Sequence, residues 1–128
     1  MNDLILIDTS AWIDFFHGVE PVAELVDEAL ADGSAALCGM VELEIRHGTR
    51  GKNERLLSGL TALPRIPTQE QDYALAGDML AALRRKGVTI PGTDGLIAHL
   101  AVRHDLPLLD DDAHFAHVPR LKRVWTAP

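Results

Sequence analysis

The feature that most constrains the fold is a run of four apolar residues at positions 4–7, which ends on a carboxylate at Asp8. Four consecutive apolar side chains are too many for a strand with one wet face, so the run predicts a strand covered on both faces, as in a parallel sheet. Thr9 and Ser10 follow and are expected to cap a helix that begins near Ala11. Ligands of open parallel sheets bind beyond the carboxyl ends of the strands, where Asp8 is expected to lie.

The rest of the chain alternates helical periodicity with short apolar runs. A Thr68–Gln71 capping box predicts the start of a helix that ends at Gly87, and Thr93 is expected to cap a helix over 94–104. Further helices are predicted at 11–16, 21–33, 41–47 and 53–62, and strands at 4–7, 35–38, 63–66, 107–109 and 124–126. This alternation predicts a three-layer α/β/α fold, with a mostly parallel sheet of four or five strands and helices on both faces.

Length and composition limit the class of protein. The 128 residues are expected to form one domain, and an apolar fraction of 47% with a charged fraction of 24% is ordinary for a globular protein. No apolar run approaches the roughly 20 residues that span a bilayer, and the first residues lack a basic leader, so a cytoplasmic protein is expected. Cys38 is alone, which excludes an internal disulfide and a thiolate metal cluster.

The net charge of −7 has the wrong sign for a typical nucleic-acid binder, but the basic residues are clustered. The cluster at 84–86 suits a helix C-terminus. A second group is Arg120, Lys122 and Arg123. The remaining group is interrupted by glycines and lies near the candidate site; we call it the basic segment, and it comprises Arg46, Arg50, Lys52 and Arg55.

Four acids follow strand ends or occupy the helices that come next: Asp8, Glu44, Asp94 and Asp112. In a right-handed βαβ arrangement such positions share one edge of the sheet. Carboxylates brought together in this way require a cation or shared protons, and Mg²⁺ prefers oxygen ligands. The chemistry that suits such a site is phosphodiester hydrolysis. Taken singly, Asp8 could instead be a helix cap, Asp94 a favourable charge at a helix start, and residues 110–112 a polar loop.

The sequence resembles the PIN-domain ribonucleases, and within them the VapC-type toxins of bacterial toxin–antitoxin pairs. The resemblance covers essentially the whole chain and rests on four segments in order: 7–14 (IDTSAWID), 41–48 (VELEIRHG), 93–98 (TDGLIA) and 108–115 (LLDDDAHF). The family cuts single-stranded regions of structured RNA with Mg²⁺ or Mn²⁺. The resemblance implies that Asp8, Glu44, Asp94 and Asp112 are catalytic, with Asp8, Asp94 and Asp112 as metal ligands and Thr9 or Ser10 as a supporting hydroxyl.

The resemblance also implies partners. The family's toxins dimerise and are neutralised by a small VapB-type antitoxin, whose C-terminal segment crosses the site; a homodimer, or a heterotetramer or larger assembly with the antitoxin, is therefore expected. RNA would reach the site along the basic segment. His114 stands where many relatives have an acid.

Two choices between neighbouring acids remain open on the residues alone. Periodicity does not separate Glu42 from Glu44, and the family spacing of a glutamate four residues before Gly48 selects Glu44. In the loop after the last buried strand, alternation sends Asp110 and Asp112 to one side. The family register selects Asp112, with Asp110 assisting by hydrogen bonding.

Two other functions are compatible with part of this pattern. One is a catalytically inactive PIN-like binding module. The presence of all four acids argues against this alternative. The other is a receiver-like phospho-acceptor domain, which needs an acid pair after the first strand and a lysine near the last. Here Asp8 is followed by Thr9 and Ser10, and Lys122 lacks the expected surroundings.

Overall fold

Four parallel strands form the central sheet, in the order β3-β2-β1-β4. The protein is described here from a computed structural model that covers residues 3–128. The strands are β1 (Ile5–Ile7), β2 (Ala35–Cys38), β3 (Arg65–Ile66) and β4 (Leu108–Leu109). β1 is central and pairs with both β2 and β4, which confirms that the first apolar run is a buried parallel strand.

Six helices connect and cover the strands: α1 (Thr9–His17), α2 (Val22–Asp32), α3 (Gly39–Gly48), α4 (Glu54–Thr61), α5 (Glu70–Arg85) and α6 (Gly92–Arg103). A short 3-10 helix, Ala113–His117, follows β4. α1 packs on α2, α5 packs on α6, and α3 contacts both α6 and β2. The predicted α/β architecture with a mostly parallel sheet is confirmed. Across residues 3–128, no helix is both long and apolar enough to cross a membrane.

The caps of three helices differ from those predicted. Asp8 caps α1 with its own carboxylate, which accepts a hydrogen bond from the backbone N–H of Ser10, so the helix starts at Thr9. α5 is capped through Asp72, whose carboxylate accepts from the N–H of Gln69, and not through the Thr68–Gln71 box. α6 begins at Gly92 with Pro91 before it, so the predicted cap at Thr93 is wrong.

Asp72 shows why local sequence patterns missed its cap. Its fully buried carboxylate also accepts hydrogen bonds from Arg103 and contacts the ring of His99, both on α6. Burial alone would raise the pKa of Asp72, but the hydrogen bonds from Arg103, Gln69 and His99 hold it well below its usual value. The cap is therefore chosen by the packing of α5 on α6.

The predicted strand at 124–126 is also wrong. Only an isolated parallel bridge forms, between Leu108 and Arg123. The N–H of Leu108 donates to the carbonyl of Lys122, and the N–H of Val124 donates to the carbonyl of Leu108. The segment therefore meets β4 at Leu108 and adds no further strand to the sheet.

Candidate active site

The candidate site lies at the carboxyl edge of the sheet. Asp8 follows β1 directly, and Glu44 lies on α3, which starts where β2 ends. Asp94 is in the first turn of α6, and Asp112 caps the 3-10 helix after β4. Segments distant in sequence thus bring four carboxylates to one region, as parallel topology requires.

Asp94 and Asp112 lie close together, and His114 joins them. The ring Nδ1 of His114 lies 3.1 Å from Asp112 Oδ1 and 3.4 Å from Asp94 Oδ2. One ligand atom from each of the three residues lies within 4.8 Å of the others. Sequence reasoning treated His114 as a departure from the family pattern and as a neighbour of the site, two residues after Asp112, but not as a member of this group.

Asp8 is 2% exposed and has two unequal carboxylate oxygens. Its Oδ2 accepts hydrogen bonds from the N–H of Ser10, at 3.0 Å, and from the Ser10 hydroxyl, at 2.6 Å. Its Oδ1 is buried and has no hydrogen-bond partner among residues 3–128. An unsatisfied buried oxygen costs on the order of 1–3 kcal/mol, and more when it is charged, so this atom fits a bound cation.

The pKa values of the acids reflect the same environment. Burial raises the pKa of the Asp8 carboxyl to about 6, the hydrogen bonds from Ser10 oppose this shift, and the charges of Asp94 and Glu44 add to it. Burial, followed by the charge of Asp112, also raises the pKa of Asp94, which the hydrogen bond from His114 partly offsets. These acids repel one another across short distances, and a divalent cation between them would remove the repulsion.

Glu44 and Glu42 have different surroundings. The Thr9 hydroxyl donates a hydrogen bond of 2.7 Å to Glu44 Oε1 and so ties Glu44 to the start of α1, next to Asp8. Glu42 accepts hydrogen bonds from Arg65 and, at 2.9 Å, from Arg46. Both hydrogen bonds lower the pKa of Glu42, and the one from Arg65 has the larger effect. Glu42 is thus neutralised by two guanidinium groups, whereas Glu44 faces the other acids.

Asp110 lies behind the site. Its fully buried carboxylate accepts hydrogen bonds from Arg123 Nη2, at 2.6 Å, and Arg123 Nε, at 3.1 Å, and from the N–H of Asp112, at 3.1 Å. Arg123 Nη2 also donates to the carbonyl of Asp112. Asp110 thus accepts a hydrogen bond from Asp112, the kind of contact predicted for it, whereas its pairing with Arg123 was not predicted.

Sequence reasoning missed Arg123. The sequence shows a basic pair, Lys122–Arg123, near three consecutive acids, but the pair was assigned no role. The hydrogen bond to Asp110, outweighing burial, raises the pKa of Arg123 further above its ordinary value. Arg123 thus fixes the backbone of the loop that carries Asp112.

The loop also contacts α1 through Ser10. The N–H of Asp111 donates to the Ser10 hydroxyl, at 2.9 Å, and that hydroxyl donates to Asp8. Both predicted supporting hydroxyls are therefore engaged, Ser10 with Asp8 and Thr9 with Glu44. The Asp111 side chain is exposed and interacts with Asp14. The pKa of Asp14 is raised to about 6, mainly by burial and to a smaller extent by the hydrogen bond and charge of Asp111.

The basic segment runs from the end of α3, through the following turn, into the first turn of α4. Arg46 is paired with Glu42. Arg50, Lys52 and Arg55 are exposed, and none of them forms an ion pair with an acid of the described chain, residues 3–128. Three of the four predicted RNA-binding cations are therefore unpaired by protein carboxylates.

Comparison with known proteins identifies the family. The PIN domain family model matches residues 5–121. The chain belongs to the PIN-domain family. This PIN domain is 34% identical to Ribonuclease VapC11 of Mycobacterium tuberculosis, over 97% of this chain and 98% of the relative. Family membership leaves the receiver-like alternative without support.

Solved structures share the fold of this PIN domain. VapBC2 from Rickettsia felis, bound to a DNA fragment from its promoter, matches with a TM-score of 0.75 at 17% identity, over 98% of this chain and 99% of the other. A toxin–antitoxin complex from Klebsiella pneumoniae matches with a TM-score of 0.70 at 22% identity, over 96% and 99%. At these identities the likeness concerns the fold alone.

Proposed function

We propose that this protein is a metal-dependent endoribonuclease and the toxin of a toxin–antitoxin pair. The observation that carries the proposal is the unpartnered, buried Oδ1 of Asp8 beside the acidic pair Asp94 and Asp112. Its relative from Mycobacterium tuberculosis is named Ribonuclease VapC11, which supports the same conclusion. All four acids of the family pattern are present, which disfavours an inactive binding module.

Asp8, Asp94 and Asp112 are the residues that would hold the metal, Mg²⁺ or Mn²⁺. When bound, such an ion neutralises phosphate charge, lowers the pKa of a bound water and stabilises the leaving oxygen. Glu44, oriented by the Thr9 hydroxyl, accepts a hydrogen bond from the attacking water and fixes its direction. Ser10 fixes Oδ2 of Asp8, which leaves Oδ1 for the ion.

The substrate is RNA whose bases are unpaired. The unpaired cations Arg50, Lys52 and Arg55 provide a rim that attracts phosphate without reading sequence. Loops of transfer, messenger and ribosomal RNA all expose their backbone in this way. The protein would act in the cytoplasm, where these RNAs are found.

The decisive experiment is cleavage of an end-labelled structured RNA by the purified protein in millimolar Mg²⁺ or Mn²⁺. Wild type is expected to cut within loops and to stop when a chelator is added. Asp8→Asn and Asp94→Asn should each be inactive while circular dichroism shows them folded, and Asp78→Asn, at an exposed position on α5, is the matched control. Cleavage by the two folded site variants at the wild-type rate would contradict the proposal.

The partner would be a small VapB-type antitoxin. The Klebsiella pneumoniae and Rickettsia felis structures are of VapBC or toxin–antitoxin assemblies, which supports a similar assembly here. We also propose that residues 1–128 act as a single PIN domain and that two copies associate, either alone or within a heterotetramer or larger complex. Co-expression of a small gene found next to the coding sequence should relieve growth arrest by the wild type.

A further inference from the structure

His114 is the nitrogen donor at the acidic site, and the following inference rests on the metal site of the proposed function. We propose that His114 Nδ1 is a direct ligand of the metal, together with Asp94 and Asp112, and that this nitrogen makes the site select Mn²⁺ over Mg²⁺. The metal and its usual carboxylates belong to the family; a nitrogen ligand and the resulting metal preference are properties of this chain.

The distances fit a shared ion. Neighbouring ligands of an octahedral ion at about 2.1 Å from each donor are separated by about 3.0 Å. His114 Nδ1 lies 3.1 Å from Asp112 Oδ1 and 3.4 Å from Asp94 Oδ2, close to the separation of neighbouring ligands, and the three residues each offer a ligand atom within 4.8 Å of the others. Asp8 interacts electrostatically with Asp94, and its buried, unpartnered Oδ1 is a second observation in favour of a cation at this edge of the sheet.

The local backbone holds the imidazole in this position. Asp112 Oδ1 accepts the backbone N–H of His114, at 2.9 Å, as the cap of the 3-10 helix. The next residue, Phe115, is buried in the core and anchors the turn. The ring is therefore presented to the carboxylates by a fixed turn and not by a free loop.

The choice of ion follows from donor chemistry. Mg²⁺ takes oxygen ligands and retains its water shell, so it gains little from a ring nitrogen. Mn²⁺ is the weakest binder among the first-row transition ions at mixed nitrogen and oxygen sites, but unlike Mg²⁺ it belongs to that series and accepts an imidazole. Replacing one carboxylate by a neutral imidazole also lowers the negative charge around the ion, which weakens a purely electrostatic Mg²⁺ site. Both effects favour Mn²⁺ relative to Mg²⁺.

A different role for the ring is a protonated imidazolium that bridges the two carboxylates in the absence of metal. The two roles make opposite predictions. An imidazolium counter-ion is displaced when the metal binds, so its ring nitrogen is not bonded to the metal. A ligand remains bonded to it.

The test uses Mn²⁺ as the probe, on the full chain without RNA. Pulsed electron paramagnetic resonance of the Mn²⁺-loaded wild type should detect ¹⁴N coupling from a directly bound imidazole. His114→Asp and His114→Gln should abolish that coupling, and His117→Gln, at an exposed position of the same 3-10 helix, should retain it. Two substitutions are used because an added carboxylate at 114 could destabilise the fold, whereas glutamine adds no charge.

Calorimetric titrations supply the second measurement. The ratio of Mn²⁺ to Mg²⁺ affinity should fall on the order of tenfold in His114→Asp and His114→Gln and should be unchanged in His117→Gln. Mn²⁺ bound to wild type without ¹⁴N coupling, or an unchanged affinity ratio in folded variants, would overturn this inference and leave the proposed nuclease intact. Absence of any metal binding by wild type would overturn both.

Discussion

The hydroxyl of Thr9 donates a hydrogen bond to Glu44, 35 residues further along the chain, and so joins the first turn of α1 to α3. Glu42 lies two residues earlier on α3, about 200° around the helix axis, and is bound by Arg46 and Arg65. One glutamate is therefore oriented by a neutral donor and keeps its charge uncompensated, while the other is neutralised.

The first prediction separates these two glutamates. Glu44→Gln should lower the single-turnover cleavage rate by about 100-fold or more, since it removes an oriented charge from the site. Glu42→Gln removes only ion pairs at the protein surface and should change the rate by less than about threefold. Equal losses in the two variants, with matching circular dichroism spectra, would contradict the assignment of Glu44.

The second prediction concerns Asp8 in the metal-free protein. Because burial raises its pKa from 3.8 to about 6, its ionised form destabilises the folded state, and stability from this group is lost as the pH rises from about 4 to 6. Asp8→Asn removes this cost and keeps a good helix cap, so it should unfold at a higher temperature than wild type at pH 7. A shift of two pKa units corresponds to at most about 3 kcal/mol.

The measurement is calorimetric unfolding at pH 5 and pH 7 in the presence of a chelator. The advantage of Asp8→Asn over wild type should be larger at pH 7 than at pH 5. Adding Mn²⁺ should stabilise wild type and have little effect on the variant. A variant that is less stable than wild type at pH 7 without metal would show that the Asp8 charge is already compensated.

The third prediction orders the three consecutive acids of the loop. Asp112→Asn should lose the most activity at unchanged fold, since Asp112 belongs to the group with Asp94 and His114. Asp111→Asn should retain nearly full activity, because its side chain is exposed and only its backbone N–H contacts Ser10. Cleavage rates of the two variants, measured at equal metal concentration, decide the order; a more damaging Asp111→Asn would refute it.

The fourth prediction concerns Arg123 as a positioning residue. Arg123→Met leaves the buried Asp110 charge unpaired and should destabilise the fold by about 3–5 kcal/mol, measured by denaturant unfolding. Lys122→Met, which breaks only the exposed pair with Asp105, is the control and should cost less than about 1 kcal/mol.

A purely structural role for Arg123 would change stability alone. A positioning role also predicts weaker Mn²⁺ binding at temperatures where Arg123→Met is fully folded, because Asp112 is no longer held by its carbonyl and N–H contacts. Arg123→Lys should recover part of the affinity. Wild-type Mn²⁺ affinity in the folded Arg123→Met protein would limit Arg123 to a structural role.

The extent to which the sequence predicted the fold differs between elements. The apolar run at 4–7 was unambiguous, because four successive apolar residues have one simple explanation, a strand buried on both faces. Caps were predicted from local patterns and failed at Thr9 and Thr68 because a carboxylate, that of Asp8 or Asp72, accepts the backbone N–H instead. The cap at Thr93 failed for a different reason, since α6 already begins at Gly92 and has no side-chain cap. A hydrogen bond from Arg103 holds Asp72 at its cap position. Arg103 lies 31 residues further along the chain, so no local pattern includes it.

For the candidate site, the positions of the acids could be predicted from the sequence, whereas their side-chain partners could not. The positions of Asp8, Glu44, Asp94 and Asp112 follow from parallel topology, which carries strand ends to one edge. Side-chain partners do not follow from topology. The pairing of Asp110 with Arg123 depends on a segment that returns beside β4 through a single bridge, and the sequence signals for a full strand there were misleading.

The fifth prediction concerns RNA binding by the basic segment. Neutralising Arg50, Lys52 and Arg55 should weaken RNA binding and reduce the slope of log affinity against log salt by about 0.7 per lost phosphate contact. Binding is measured by fluorescence anisotropy in the Asp94→Asn background, so that the RNA is not cut. Neutralising Arg84, Arg85 and Lys86, three exposed cations at the end of α5, is the matched control. An unchanged slope in the triple variant would remove the basic segment from the RNA path.

The order of the sheet has a consequence for translation. β1 emerges first, yet its neighbour β4 and the Arg123 segment that holds the acidic loop are made more than 100 residues later. When β1, β2 and all six helices have been synthesised, the polypeptide still lacks the loop that completes the site. The ribosome that makes this protein is therefore exposed to a finished nuclease only after position 123 has left it, which gives an antitoxin already in solution time to meet the folding chain.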